Sequence, residues 1–167
     1  MAQNSEEVAY EVALRRLDSQ LQRVDIIETK VGLVLGLAST AIGIFAGFVA
    51  VVVDPNELAS VIFAAVSGAV ILIVYLFTMR SGLATFATTE WDQRPNWEEL
   101  LVSARELDLP TMQLWVAEGC VLSLRQNEPQ LRQKTKAAAT ATRLALIDVI
   151  LVAVVLISLL IVNAAII

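Results

Sequence analysis

The stretch VGLVLGLASTAIGIFAGFVAVVV, Val31 to Val53, decides the fold: 23 consecutive residues carry no charge. A helix needs about 20 apolar residues to cross a hydrocarbon core of about 30 Å, at about 1.5 Å of rise per residue. A helix buried in a soluble core would show a polar stripe, and this run has none. Two further runs meet the same requirement. Leu58 to Met79 is uncharged, and Leu144 to Ile167 holds Asp148 as its only charge. The reading is an all-α integral membrane protein with three transmembrane helices. The spans 31–53 and 58–79 form a hairpin, and 144–167 is a C-terminal span.

Composition agrees. Of 167 residues, 57% are hydrophobic and 17% charged, with one cysteine, no histidine and a formal net charge of −5. Mean hydropathy is +0.69. These values exclude a disordered chain, a disulfide scaffold and a basic nucleic-acid-binding domain, so no nucleic acid polymer is expected as a partner. Lacking histidine, the chain lacks the commonest general base and transition-metal ligand. With no reactive cysteine setting and no paired carboxylates in a defined pocket, the sequence points away from an enzyme, and it implies no cofactor or metal. The polar, acid-rich first 30 residues and the long first apolar run argue against a cleaved signal peptide.

Orientation follows from the 12 Lys and Arg residues. All precede the first span or lie between the second and third spans. The connection Asp54-Pro55-Asn56-Glu57 has none. Positive-inside bias places the N-terminus and residues 80–143 in the cytoplasm, and the hairpin tip and C-terminus outside, as expected for a multi-pass cell (inner) membrane protein.

The polar segments read as helical. Asn4 with Glu7 has capping-box form. Tyr10, Leu14, Leu17, Leu21 and Val24 then form a coiled-coil-like seam that breaks at Glu28. With no Pro or Gly between Ser5 and Val31, this amphipathic helix of segment 1–30 is expected to run into the first span, over Ser5–Val53. In the hairpin turn Asp54 is expected to cap the second span, with Pro55 at its first position. Arg80 to Thr89 is expected to extend the second span. A capping box at Asn96 to Glu99 predicts a helix from Trp97 to about Leu107. Asp108-Leu109-Pro110 restarts another, and Asn127-Glu128-Pro129 marks a break or restart. The last helix then continues to the C-terminus. Segment 80–143 would thus form a cytoplasmic helical bundle continuous with the spans, in one integrated domain.

Several residues invite a functional reading beside a structural one. Gly32, Gly36, Gly43 and Gly47 fall within about 60° of one helix face and make a doubled GxxxG pattern, flanked by Ser39 and Thr40. Ser60, Ala64 and Gly68 repeat the four-residue spacing on the second span. The two stripes pack against each other within the hairpin, or the glycine face packs against another copy of the chain, or glycine with Ser/Thr lines a pore. Asp148 is either an interfacial acid or a functional intramembrane group with Lys30 or Arg80 as partner. Arg23, Asp25, Glu28 and Lys30 form a juxtamembrane cluster, read as a solvated charged face or as a nexus binding other helices or a ligand. Trp91 and Trp97 suit the headgroup level and Trp115 the bundle core. A nucleotide ligand has no phosphate-binding motif to support it. Cys120 reads as a buried apolar thiol.

Asp25 and Lys30 before the first span, Trp97-Glu98-Glu99-Leu100 in the insert, and Asn127 with Lys134 and Lys136 ahead of the third span give the chain an order of parts. It resembles the transmembrane effectors of bacterial Pycsar antiphage defence, with a longer Asp-to-Lys spacing here. The resemblance implies a cytoplasmic sensor coupled to oligomerising spans, in a family where a cyclic nucleotide signal triggers membrane damage. The expected function is a small oligomeric inner-membrane effector or channel-like protein regulated through its cytoplasmic bundle. The alternative is a non-catalytic accessory or scaffold subunit of a larger membrane complex. The expected partners are the lipid bilayer and either further copies of the chain or other membrane subunits.

Overall fold

A computed structural model describes residues 5–87, 91–92, 98, 102 and 106–166, without the side chains of 163–166. Three long helices account for most of the described chain: α1 (Ser5–Val52), α2 (Leu58–Leu83) and α3 (Leu109–Ile166). Each contains a window long and apolar enough to cross a membrane, which suggests a multi-pass membrane protein. The helix expected from Trp97 to Leu107 lies largely outside the described residues.

The chain divides into two compact units, one formed by Met1–Ile27 and Thr88–Lys134, the other by Glu28–Ala87 and Thr135–Ile167. In the first unit the buried face of α1 carries Ala13, Gln20 and Val24, with Tyr10 and Leu17 partly buried beside them. This differs from the seam expected from sequence. Leu14 is 38% exposed. The small Ala13 takes the inner position because it lets α3 approach closely, placing Val116, Ala117 and Cys120 in one cluster with it and Trp115 against the edge. The seam does not stop at Glu28 either. It continues through the second unit as Val31, Ala38 and Phe45, a seven-residue repeat on one face.

Helix α3 is continuous through Pro129, where the sequence pointed to a break. Proline costs one backbone hydrogen bond, that to the Arg125 carbonyl, and its ring crowds the preceding turn, together about 3 kcal/mol. On either side, Cys120, Ser123, Asn127 and Lys134 are buried on one face, so packing holds the two halves in a single register.

The hairpin turn also differs in detail. Asp54 does not cap α2. Its Oδ1 accepts from the Asn56 backbone N–H at 2.9 Å and from the Asn56 side-chain amide at 3.0 Å, an Asx turn. The residue at the N-cap is Glu57, and it makes no side-chain cap. At its other end α2 stops at Leu83 instead of running to Thr89. Gly82 lies just before the stop, and its carbonyl accepts from both the backbone N–H of Thr85 (2.9 Å) and the Thr85 hydroxyl (2.7 Å), closing a tight turn.

Within the second unit α1 and α2 run antiparallel. The Ser39 and Tyr75 hydroxyls are 3.0 Å apart. Phe45 lies over Gly68, and Leu35 fills the space over Gly82, where a Cβ would come within 2.7 Å of its side chain. Helix α3 joins them through Val152, which packs with Phe45 and Ile71.

Candidate functional site

Two arrangements carry the unusual chemistry of the described residues, one in each unit.

In the second unit, Asp148 projects from the buried face of α3. That face is set by the spacing Ala141, Ala145, Asp148, Val152, Leu159. Asp148 is 0% exposed, and neither carboxyl oxygen has a hydrogen-bond partner among the described residues. One turn further along α3, Val152 lies in the cluster with Phe45 and Ile71, well inside the apolar runs of α1 and α2. Asp148 is therefore packed inside the three-helix unit and not on its outer surface. The two basic partners expected from sequence, Lys30 and Arg80, are both exposed and make no bond to it. An unpaired acid in such a place costs stability and is characteristic of function.

The glycine face of α1 looks the other way. At about 100° per residue, Gly32, Gly36, Gly43 and Gly47 lie roughly 150° round the helix from Val31, Ala38 and Phe45. All four are exposed, and a Cβ placed on any of them would meet nothing within 4 Å. The hairpin-internal reading of this stripe is thus corrected: it does not meet Ser60, Ala64 and Gly68. Ser60 and Ala64 are buried, and Gly68 is covered by Phe45 from the opposite face of α1. The hydroxyls of Ser39 and Thr40, beside the glycines, donate to the carbonyls of Leu35 and Gly36, each at 2.9 Å, which removes their polarity from the surface.

In the first unit, α3 grips the segment Trp91–Asp92. The Asn127 side chain accepts from the Asp92 backbone N–H and donates to the Asp92 carbonyl, both at 2.9 Å. Ser123 Oγ lies 3.4 Å from Asp92 Oδ1. One step along the same face, the Lys134 ammonium sits 5.9 Å from the centre of the Trp91 ring, a cation–π contact. Sequence reasoning missed this clamp. The only hint was three polar residues, Ser123, Asn127 and Lys134, at heptad positions that ought to be apolar. Asn127→Ala deletes both backbone bonds and strands buried polar groups, so it should cost about 2 kcal/mol. An unchanged thermal unfolding midpoint would contradict the clamp.

The remaining sequence candidates are dispersed. Arg23 lines a cleft in the first unit. Asp25 and Lys30 are exposed, and Glu28 is half-buried with a partner of its own. Cys120 is buried and free, and burial pushes its thiol pKa up, away from thiolate chemistry. Among the described residues no group of three or more His, Cys, Asp or Glu side chains is placed to hold a metal ion. Compared with known protein families, curated proteins and solved structures, the chain matches none.

Proposed function

We propose that the protein is a small inner-membrane effector or channel-like protein that assembles from several copies through the glycine face of α1. In this reading α1, α2 and α3 each cross the bilayer once, with the N-terminus and the 80–143 segment in the cytoplasm and the C-terminus outside. One observation carries the assembly: four glycines on a single outward face of an apolar helix, with open space over each. Apolar burial gives little drive for helix association in lipid, and small residues permit the close backbone contact that replaces it. A glycine stripe turned outward is a surface suited to a second helix. Asp148 supports an active role over a purely structural one, because an unpaired acid inside a span lowers stability. The antiphage setting is carried by the resemblance to Pycsar effectors.

The test is membrane integrity. Induced in a bacterial host, the wild-type chain should collapse the membrane potential within the time of its accumulation. A Gly36→Leu, Gly43→Leu variant made to the same level should not. An intact potential, with a different protein co-purifying in fixed ratio, would favour the accessory-subunit reading.

A further inference from the structure

A cleft of about 760 Å³ lies in the first unit between the N-terminal part of α1 and the middle of α3. Its volume falls in the range of small-molecule sites, about 300–1,000 Å³. Arg15, Arg16 and Arg23 line it from α1, and Arg125 and Glu128 line it from α3. Two of these charges are already matched. Arg15 pairs with Glu11 at 3.2 Å, and Glu128 pairs with Arg132 at 2.6 Å. Arg16, Arg23 and Arg125 have no ion pair among the described residues, so three guanidinium groups from two helices face one cleft whose one lining acid, Glu128, is engaged by Arg132.

This concentration of positive charge is local. The whole chain has a formal net charge of −5, so a generally basic surface does not account for it. Between the arginines, Gln20 is 8% exposed. Its amide nitrogen donates to the Leu124 carbonyl at 3.3 Å, while its Oε1 is buried with no hydrogen-bond partner. An acceptor left in that state favours a ligand that brings a donor. Val12, Val121 and Leu131 add apolar wall.

We infer that this cleft binds an organic anion carrying two phosphate groups. Guanidinium groups recognise phosphate by paired, charge-assisted hydrogen bonds. Arg16 and Arg23 are two helical turns apart, about 10 Å along α1, which suits two phosphates better than one. Three uncompensated cations are matched by a ligand of two or more negative charges, and the apolar wall accepts its organic part. The same chemistry is offered by a soluble organic diphosphate and by the headgroup of a two-phosphate lipid such as cardiolipin. The charge of the cleft does not depend on how the chain sits in a membrane.

Titration calorimetry of the full chain in phosphatidylcholine nanodiscs, with inorganic pyrophosphate as the probe, tests the site. One saturable site is expected. Arg16→Gln, Arg23→Gln and Arg125→Gln should each weaken it about tenfold, a loss of one charge-assisted contact. Arg143→Gln, which removes an equal charge outside the cleft, should leave it unchanged. The arginines are exposed, and an unaltered thermal unfolding midpoint will verify that each variant is folded. Repeating the wild-type titration in nanodiscs containing cardiolipin separates the sources. Suppressed pyrophosphate binding supports the lipid headgroup as occupant, and undiminished binding supports the soluble diphosphate. Absence of saturable binding in phosphatidylcholine, or an equal loss in Arg143→Gln, would overturn the inference.

Discussion

Asp148→Val is expected to make the folded chain more stable, by about 2 kcal/mol, and, on the proposed effector reading, to abolish membrane damage. The stabilisation follows from the surroundings of the side chain. Both oxygens are buried without partners, and the nearest positions on the same face of α3 are Ala145 and Val152. A buried carboxyl left without hydrogen-bond partners costs about 1–3 kcal/mol or more. Valine removes that cost, and its slightly larger volume returns a part of the gain as packing strain. For a chain of this size the thermal unfolding midpoint in detergent should rise by about 4–8 °C. Asp148→Asn keeps the shape and the need for partners, so its midpoint should stay closer to the wild type. A lower midpoint for Asp148→Val would mean that the carboxyl is held by a bond the folded chain depends on. A higher midpoint with full activity would leave Asp148 without a functional role.

The three apolar helices were legible because a run of 22 to 24 residues with at most one charge has few other outcomes. The extent of α1 was legible for a related reason, since nothing between Ser5 and Val52 interrupts a helix. What escaped was whatever depends on a neighbour. Leu14 looked like a seam residue by its apolarity, yet Ala13 holds the inner place because α3 packs close there. Pro129 looked like a break, yet the buried residues on both sides of it keep one helix in register. The Asn127 clamp joins α3 to backbone 35 residues earlier, and a bond between a side chain and a distant backbone leaves no periodic trace. The glycine stripe was visible by spacing, but its direction was not. Only the burial of Val31, Ala38 and Phe45 on the other face turns it outward.

That direction gives the second large effect. Gly36→Leu combined with Gly43→Leu should abolish assembly and leave the single chain intact. A Cβ at either position meets nothing within 4 Å, so the larger side chains displace no atom of their own chain. Leucine is also the better helix former, by nearly 1 kcal/mol per site relative to glycine. The unfolding midpoint of the variant should therefore equal or exceed that of an isolated wild-type chain. Between two helices in contact, four-residue glycine spacing allows backbones to touch, and a leucine at each site forces them apart. A variant that loses stability and assembly together would mean that the glycines pack within the chain.

The most direct measurement of the central claim is the mass of the particle released from nanodiscs, read by native mass spectrometry for the wild type and for the Gly36→Leu, Gly43→Leu variant. The chain weighs 18.1 kDa. Self-assembly through the glycine face predicts a wild-type mass that is a whole multiple of this value, two or greater, and a variant at the single-chain mass. A wild-type particle of one chain, or one whose mass requires a different protein, would contradict it.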